Sequence, residues 1–182
     1  MRPLGYLAGA IRDHHPEDLE WRERFVDRLI DRCDLINPLA GKTFNEETGL
    51  WTICGIPTTK HLIVAADFAA VDRADFIVFN FLALADGYPM IGSLTEWGRS
   101  TNRSILRFGI IPPKYLGHGN LRTFQCLHPF LDEPMAAAFD TPNACLDFLE
   151  DYLGVLSGRD ARYRGVIHLM SERFGDAAER TV

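Results

Sequence analysis

Short apolar runs alternate with helically spaced apolar positions from the start of the chain. The first run is Leu4–Gly9, and apolar residues then recur at helical spacing from Pro16 to Cys33, with one polar exception at Arg22. Acidic residues crowd the start of this segment, where the helix dipole favours negative charge. A second short run, residues 35–38, stops at a proline. The pattern predicts a strand, a helix that packs on a sheet, and a second strand.

The middle of the chain repeats this alternation after an irregular segment. Residues 40–59 are rich in glycine and proline, which indicates a hairpin or an active-site loop. Residues 61–73 have a helical pattern, and residues 75–82 are almost continuously apolar. Continuous apolarity indicates a strand buried on both faces, as in a parallel sheet. A further helix near Ser93 and a strand over residues 104–110 follow.

The last third of the chain is harder to interpret. Prolines and glycines, including Gly117 and Gly119, interrupt the pattern until an amphipathic helix over Pro142–Leu156, which should end near Gly158. Its apolar face could cover the chain's own sheet or contact a second subunit. Strand and helix alternation predicts one doubly wound α/β domain over residues 1–182, with a mainly parallel, Rossmann-like or flavodoxin-like sheet and helices on both faces.

Composition and charge narrow the range of ligands. The 182 residues have a formal net charge of -6, which argues against a nucleic-acid polymer as partner but not against a single nucleotide. The four cysteines have no CxxC spacing, and P-loop and GxGxxG motifs are absent, so we expect neither a metal nor another cofactor. The chain has neither an apolar stretch of membrane-spanning length nor a secretory leader, which predicts a cytoplasmic protein without membrane contact.

The predicted topology also indicates where a ligand would bind. In doubly wound folds the site lies at the carboxyl ends of the strands. The loops at that edge should bring four side chains together: Tyr6, Arg12, Asp86 and Glu96.

Glu96 is the first candidate for chemistry. It lies near the start of a predicted helix, where the helix dipole favours an ionised carboxylate that can attack an electrophilic sugar carbon. The spacing Ser93-x-x-Glu96 also matches a capping box, in which both side chains only satisfy backbone N–H groups. The local sequence leaves both interpretations open.

Asp67 is the second candidate. It stands among alanines, valine and phenylalanine, where a solvated charge is not expected. A buried aspartate is either ion-paired for structural reasons or is a functional acid, and both interpretations stay open. The neighbouring Asp72 and Asp75 are interpreted as residues that end a helix.

Four motifs occur in order over residues 3–111: Tyr6-Leu-Ala-Gly9, Asn37-Pro38, Asp67-x4-Asp72-x2-Asp75 and Gly92-Ser-x-x-Glu96-x-Gly98. Together they resemble the nucleoside 2-deoxyribosyltransferase superfamily. The resemblance implies a doubly wound domain that transfers a 2-deoxyribosyl group between nucleobases without a cofactor. It also implies a homodimer or larger oligomer whose active sites are completed across an interface, and we expect the segment after Pro112 to contribute to the neighbouring site.

The resemblance also implies roles for particular residues. Glu96 would be the nucleophile that holds the sugar covalently, Asp67 the acid that handles the base, and Tyr6 the group that orients the nucleophile. The backbone turns around Gly9 and Gly92 would contact the substrate. The superfamily commonly carries an acidic pair before the Gly-Ser turn, where this chain has Met90 and Ile91, so Asp86 is a candidate substitute.

Two segments are similar to another branch of the same superfamily, which hydrolyses deoxynucleoside 5'-monophosphates. They are Ala10-Ile11-Arg12 and Glu96-Trp-Gly-Arg99. In this alternative Arg12, Ser93 and Arg99 would hold the phosphate, because an arginine fork and a helix N-terminus both suit that group. A nucleotide-binding module without catalysis is the third possibility.

Overall fold

The computed structural model describes residues 2–12, 15–45, 48–101, 103, 105–115 and 135–156. Within them the α-helices are α1 (Glu17–Leu29), α2 (Lys60–Arg73), α3 (Ile91–Ser100) and α4 (Pro142–Leu156). The strands are β1 (Leu4–Gly9), β2 (Asp34–Ile36), β3 (Lys42–Asn45), β4 (Leu50–Ile53), β5 (Ile56–Thr58), β6 (Phe76–Asn80), β7 (Leu106–Ile110) and β8 (Ala137–Phe139). Short 3-10 helices cover Leu82–Asp86 and Pro113–Tyr115.

The main sheet has five parallel strands in the order β2-β1-β6-β7-β8. This is the flavodoxin-like order, in which the chain reverses direction across the sheet between β1 and β6. Those two strands pair in register from Gly5 opposite Phe76 to Gly9 opposite Asn80. The doubly wound α/β fold expected from the alternation of strands and helices is confirmed.

Both faces of the sheet are covered by helices. Tyr6 and Ala8 of β1 belong to the core cluster that includes residues of α2 and α3, whereas Leu7 packs with α1 and α4. Every residue of β6 is buried, as its continuous apolarity predicted. The apolar face of α4 packs on the chain's own sheet, with Cys145 and Leu149 fully buried, which confirms one of the two roles considered for it.

The ends of several elements differ from the sequence-based limits. The α2 helix begins at Lys60, because the Thr59 hydroxyl accepts a hydrogen bond from the Leu62 N–H at 3.3 Å. The β6 strand ends at Asn80, whose side-chain oxygen accepts from the Leu82 N–H at 3.1 Å and begins a turn. The α3 helix begins at Ile91, two residues before Ser93, after Met90 in a left-handed conformation (φ 44°).

Residues 40–59 contain a separate antiparallel sheet in the order β3-β4-β5, which we call the meander. The expectation of a hairpin in this segment is therefore confirmed. Gly41 and Gly55 adopt positive φ angles of 71° and 79° at its turns, a conformation that costs glycine least. The β8 strand was not predicted, because three residues on the sheet edge are too short for a recognisable pattern.

Some predictions concern residues that the structure does not describe. The end of α4 near Gly158, Gly117, Gly119 and most of the segment after Pro112 lie outside the described residues. The role expected for that segment in a neighbouring subunit stays a prediction. In the described part of the chain, no helix is long and apolar enough to cross a membrane.

Candidate active site

The α3 helix places Glu96 over the first strand of the main sheet. There the hydroxyl of Tyr6 donates a hydrogen bond to Glu96 Oε1 at 2.5 Å. Because α3 begins at Ile91 and its N-terminal cap makes no side-chain hydrogen bond, Ser93 and Glu96 do not form a capping box. The capping interpretation of Glu96 is therefore wrong, since the helix starts too early for these two residues to be its cap.

Burial sets the acidity of Glu96. Removal from water raises its pKa from 4.5 to about 7, because the charged form loses hydration. The hydrogen bond from Tyr6 opposes this rise in pKa, whereas the negative charge of Asp67 adds to it. The positive charges of Arg22 and Lys42 also lower the Glu96 pKa, by smaller amounts. Near pH 7 the side chain therefore exchanges between an acid and a carboxylate.

Tyr6 remains a hydrogen-bond donor in this setting. Its side chain is completely buried, and burial together with the charges of Glu96 and Asp67 raises its pKa far above the usual range. A phenol that cannot ionise can orient a carboxylate without adding negative charge.

Arg22 supports the end of β1 from the other side of the sheet. It is fully buried, and its guanidinium donates to the carbonyl oxygens of Leu7, Gly9 and Ala10 at 3.3, 2.9 and 3.2 Å. Burial lowers its pKa to about 10. In the sequence Arg22 is the polar exception among the helically spaced apolar residues, and that exception is the signal that could have identified it.

A cleft of about 360 Å³ opens beside Glu96 at the carboxyl edge of the main sheet. It lies at the carboxyl ends of β1 and β2, on the edge where doubly wound sheets bind ligands. Five predicted site residues line it: Gly9, Asp67, Gly92, Ser93 and Glu96. Its other walls are mostly apolar and come from α2, from the loop after β2 and from Trp51 of the meander.

Asp67 is ion-paired inside this cleft. Lys42 Nζ, from β3 of the meander, donates to Asp67 Oδ1 at 2.6 Å. The lysine side chain is 10% exposed and the aspartate side chain 24% exposed. Lys42 and Trp51 were not predicted as site residues, because both lie in residues 40–59, whose glycines and prolines indicate only turns and short strands.

A smaller cavity of about 270 Å³ adjoins the cleft. The two share Gly9, Ile11, Gly92 and Ser93, and the smaller one extends along Tyr88 and Met90 at the N-terminus of α3. The first amide N–H groups of a helix have no intrahelical acceptor, and they attract anions.

Arg12 and Asp86 do not join Tyr6 and Glu96. The Arg12 guanidinium donates twice to Asp18, at 2.9 Å in each case, and once to Asp86 at 2.8 Å. Arg12 lines a separate cavity on the side of α1, whereas Glu96 faces α2. The expectation that the four side chains meet is corrected, because Asp18 draws Arg12 to the opposite side of β1.

Arg99 also lies away from both cavities. It donates to Asp72 at 2.7 and 2.5 Å and stacks over the ring of Phe68. This pairing on the outer face of α2 and α3 corrects the expected phosphate pocket, since only Ser93 of the three proposed residues reaches the cleft. Asp72 lies in the last turn of α2 and Asp75 just beyond that helix, so both lie at a helix end as expected. Asp72 accepts from Arg99, and Asp75 accepts a hydrogen bond from the Leu4 N–H at 2.8 Å.

Metal binding is not indicated by the geometry of the described residues. Over these ranges, no group of three or more histidine, cysteine, aspartate or glutamate side chains is arranged to hold an ion.

Comparisons with known proteins bear on the fold. No family model matches the chain, and no curated protein is significantly similar to it. The crystal structure of a conserved protein from Enterococcus faecalis V583 is similar, with a TM-score of 0.51 and 16% sequence identity. The similarity covers 88% of this chain and 100% of that one. At this identity the likeness shows a shared fold and nothing about activity.

Proposed function

We propose that this protein breaks the N-glycosidic bond of 2-deoxynucleosides and transfers the 2-deoxyribosyl group to a second nucleobase. The observation that carries the proposal is the Tyr6–Glu96 pair, with a 2.5 Å hydrogen bond at the wall of an apolar cleft. The four motifs that resemble the nucleoside 2-deoxyribosyltransferase superfamily support the same reaction.

Glu96 is the nucleophile in this proposal. Tyr6 holds Oε1, so we assign the attack on the anomeric carbon to Oε2. The bond from that carbon to the base nitrogen breaks, and the sugar remains as an ester on Glu96. A second base then attacks the same carbon and releases the carboxylate. Two displacements at one carbon retain its configuration.

The cleft suits a nucleoside in size and character. Its volume of about 360 Å³ lies within the range of small-molecule sites. Trp51, Ile63 and Val64 provide apolar surface for a base, and Asp67 provides a polar group that can orient it.

Hydrolysis of a deoxynucleoside 5'-monophosphate is the second candidate. The smaller cavity at the N-terminus of α3 favours it, because helix amides there can hold a phosphate without Arg12 or Arg99. Water, rather than a base, would then release the sugar phosphate from Glu96. The chemistry on Glu96 is the same in both reactions.

Product analysis tests the two reactions together. The protein is incubated with each common 2-deoxynucleoside and its 5'-monophosphate, with and without a different free base, and the products are separated by chromatography. We expect a new deoxynucleoside only when donor and free base are both present. Release of free base without an acceptor would favour hydrolysis.

Mass spectrometry supplies a second readout. A quenched reaction should contain protein that is heavier by one deoxyribosyl group, located on the peptide with Glu96. The Glu96→Gln variant is the matched control and should carry no adduct. Binding of nucleosides without any turnover or adduct would contradict both reactions and leave a nucleotide-binding module.

A further inference from the structure

Lys42 and Lys60 both line the cleft of the proposed chemistry, and Lys42 is hydrogen-bonded to a carboxylate there. It projects from β3 into the cleft that Asp67 and Glu96 share, and its ammonium group donates to Asp67 Oδ1 at 2.6 Å. Its positive charge also acts on Glu96. The meander therefore places a nearly buried proton donor next to Asp67 and in the same cleft as Glu96.

The reaction needs such a donor. A base that departs from the anomeric carbon takes the bonding electron pair, and a proton placed on the base assists its departure. Asp67 accepts a hydrogen bond in its ion pair with Lys42, so it acts there as an acceptor and not as a donor. Met90 and Ile91 cannot supply a proton either, and Asp86 is bonded to Arg12 away from the cleft.

Lysine is a residue type that can donate such a proton. The chain has 16 arginines and three lysines, which are Lys42, Lys60 and Lys114. A guanidinium is not deprotonated in proteins, whereas a lysine ammonium can release a proton and recover it. A lysine in the ion pair with Asp67 therefore adds a chemical capacity that arginine lacks.

We propose that Lys42 is the general acid that protonates the departing nucleobase, and that Asp67 holds its ammonium group in place. This inference rests on the proposed function. As Glu96 Oε2 bonds to the anomeric carbon, the electron pair of the broken bond goes to the base, and a proton from Lys42 Nζ neutralises it. The amine recovers a proton from the incoming base, or from water in hydrolysis, as that group attacks.

The test compares two donors that differ in their need for a proton. A 2-deoxynucleoside requires one, whereas 7-methyl-2'-deoxyguanosine already carries a positive charge on its base and departs as a neutral molecule. For an enzyme restricted to pyrimidines, p-nitrophenyl 2-deoxyriboside serves instead. We expect Lys42→Met to lower kcat/KM for the ordinary nucleoside about 10² to 10⁴-fold, and for the activated donor by less than about fivefold.

Two further variants separate acid catalysis from charge and from general damage. Lys42→Arg keeps a cation beside Asp67 but cannot donate a proton, so it should show the same selective loss as Lys42→Met. Its melting temperature, measured beside that of wild type, identifies a folding defect. Lys114→Met is the matched control, because Lys114 is exposed and bonds the Ala85 carbonyl, and the ratio of the two donors should not change.

Each outcome has a defined meaning. An equal loss for both donors in Lys42→Met, or full activity of Lys42→Arg on the ordinary nucleoside, would overturn the role of Lys42 and leave the proposed function intact. A wild-type protein that cleaves neither donor would overturn the proposed function, and with it this inference.

Discussion

Two carboxylates beside the end of β1 have opposite environments. Asp18 receives two hydrogen bonds from the guanidinium of Arg12 and a third from the Arg12 backbone N–H at 3.1 Å. Glu96, across the sheet, receives a hydrogen bond from the neutral phenol of Tyr6. A guanidinium neutralises the charge of a carboxylate, whereas a phenol orients it and leaves its charge available. The same chemical group is therefore structural on one side of the sheet and suited to reaction on the other.

The surroundings of the two groups strengthen this contrast. Asp18 belongs to a cluster of charges on the side of α1, with Glu17 and Asp86 also bonded to Arg12. Glu96 opens onto an apolar cleft, and burial holds its pKa at about 7. Exchanging the two carboxylates for their amides should therefore produce different kinds of defect.

The largest expected effect is the loss of catalysis in the Glu96→Gln variant. Loss of the proposed nucleophile should lower kcat/KM for a 2-deoxynucleoside by at least roughly 10⁴-fold, because in the proposed reaction no other group forms the covalent intermediate. Asp18→Asn is the matched control and should keep kcat/KM within a few-fold of wild type. Steady-state kinetics on both variants measure the difference, and a Glu96→Gln variant with a tenth of normal activity would contradict the assignment.

The next effect is on stability. Arg12→Met should lower the free energy of unfolding by about 3 to 5 kcal/mol, because it leaves the nearly buried Asp18 without its guanidinium. Denaturant unfolding followed by circular dichroism measures it. At denaturant concentrations where the Arg12→Met variant is still folded, it should turn over nucleosides normally, since Arg12 lies outside the cleft. If Arg12→Met kept the stability of wild type and lost activity only on deoxynucleoside 5'-monophosphates, Arg12 would instead be a phosphate ligand.

The third effect is on pH dependence. Because the proposed attack requires an ionised Glu96, kcat/KM should rise with pH and level off above about pH 7. In Tyr6→Phe the hydrogen bond that lowers the Glu96 pKa is lost, so the rise should move to higher pH. A pH–rate profile of both proteins measures this, and a shift to lower pH would contradict the role of Tyr6.

The same titration has a consequence for stability. A carboxyl group whose pKa rises from 4.5 to about 7 on folding stabilises the protein fully below pH 4.5, and this contribution is lost as pH rises toward 7. Glu96→Gln removes the buried charge, so its melting temperature should exceed that of wild type at pH 8 and approach it at pH 4.5. Melting curves of both proteins at both pH values test this expectation. A Glu96→Gln variant that melts below wild type at pH 8 would contradict it.

The smallest effect is expected at Arg99. Its ion pair with Asp72 is partly exposed, so Arg99→Ala should change the free energy of unfolding by less than about 1 kcal/mol. The KM for a 5'-monophosphate should stay within about twofold of wild type, because the side chain lies away from both cavities. A rise in that KM alone would make Arg99 a phosphate ligand.

Local pattern determined the fold of this protein. The continuous apolar run of β6 and the helical spacing of apolar residues in α4 both follow from burial, and a strand buried on both faces requires helices on both sides of a parallel sheet. The same pattern indicated a ligand at the carboxyl edge. Glu96 and Asp67 stood out because a charged residue at each position needed an explanation.

The tertiary structure alone decided which charges meet. Lys42 and Asp67 are 25 positions apart, and Arg12 and Asp86 are 74 apart. Composition and periodicity describe each segment by itself, whereas these pairs depend on the order of strands and on where the meander packs. That packing determines whether a carboxylate contacts a guanidinium, an ammonium group or a phenol. The contact in turn determines whether the charge of the carboxylate is neutralised or remains available for reaction.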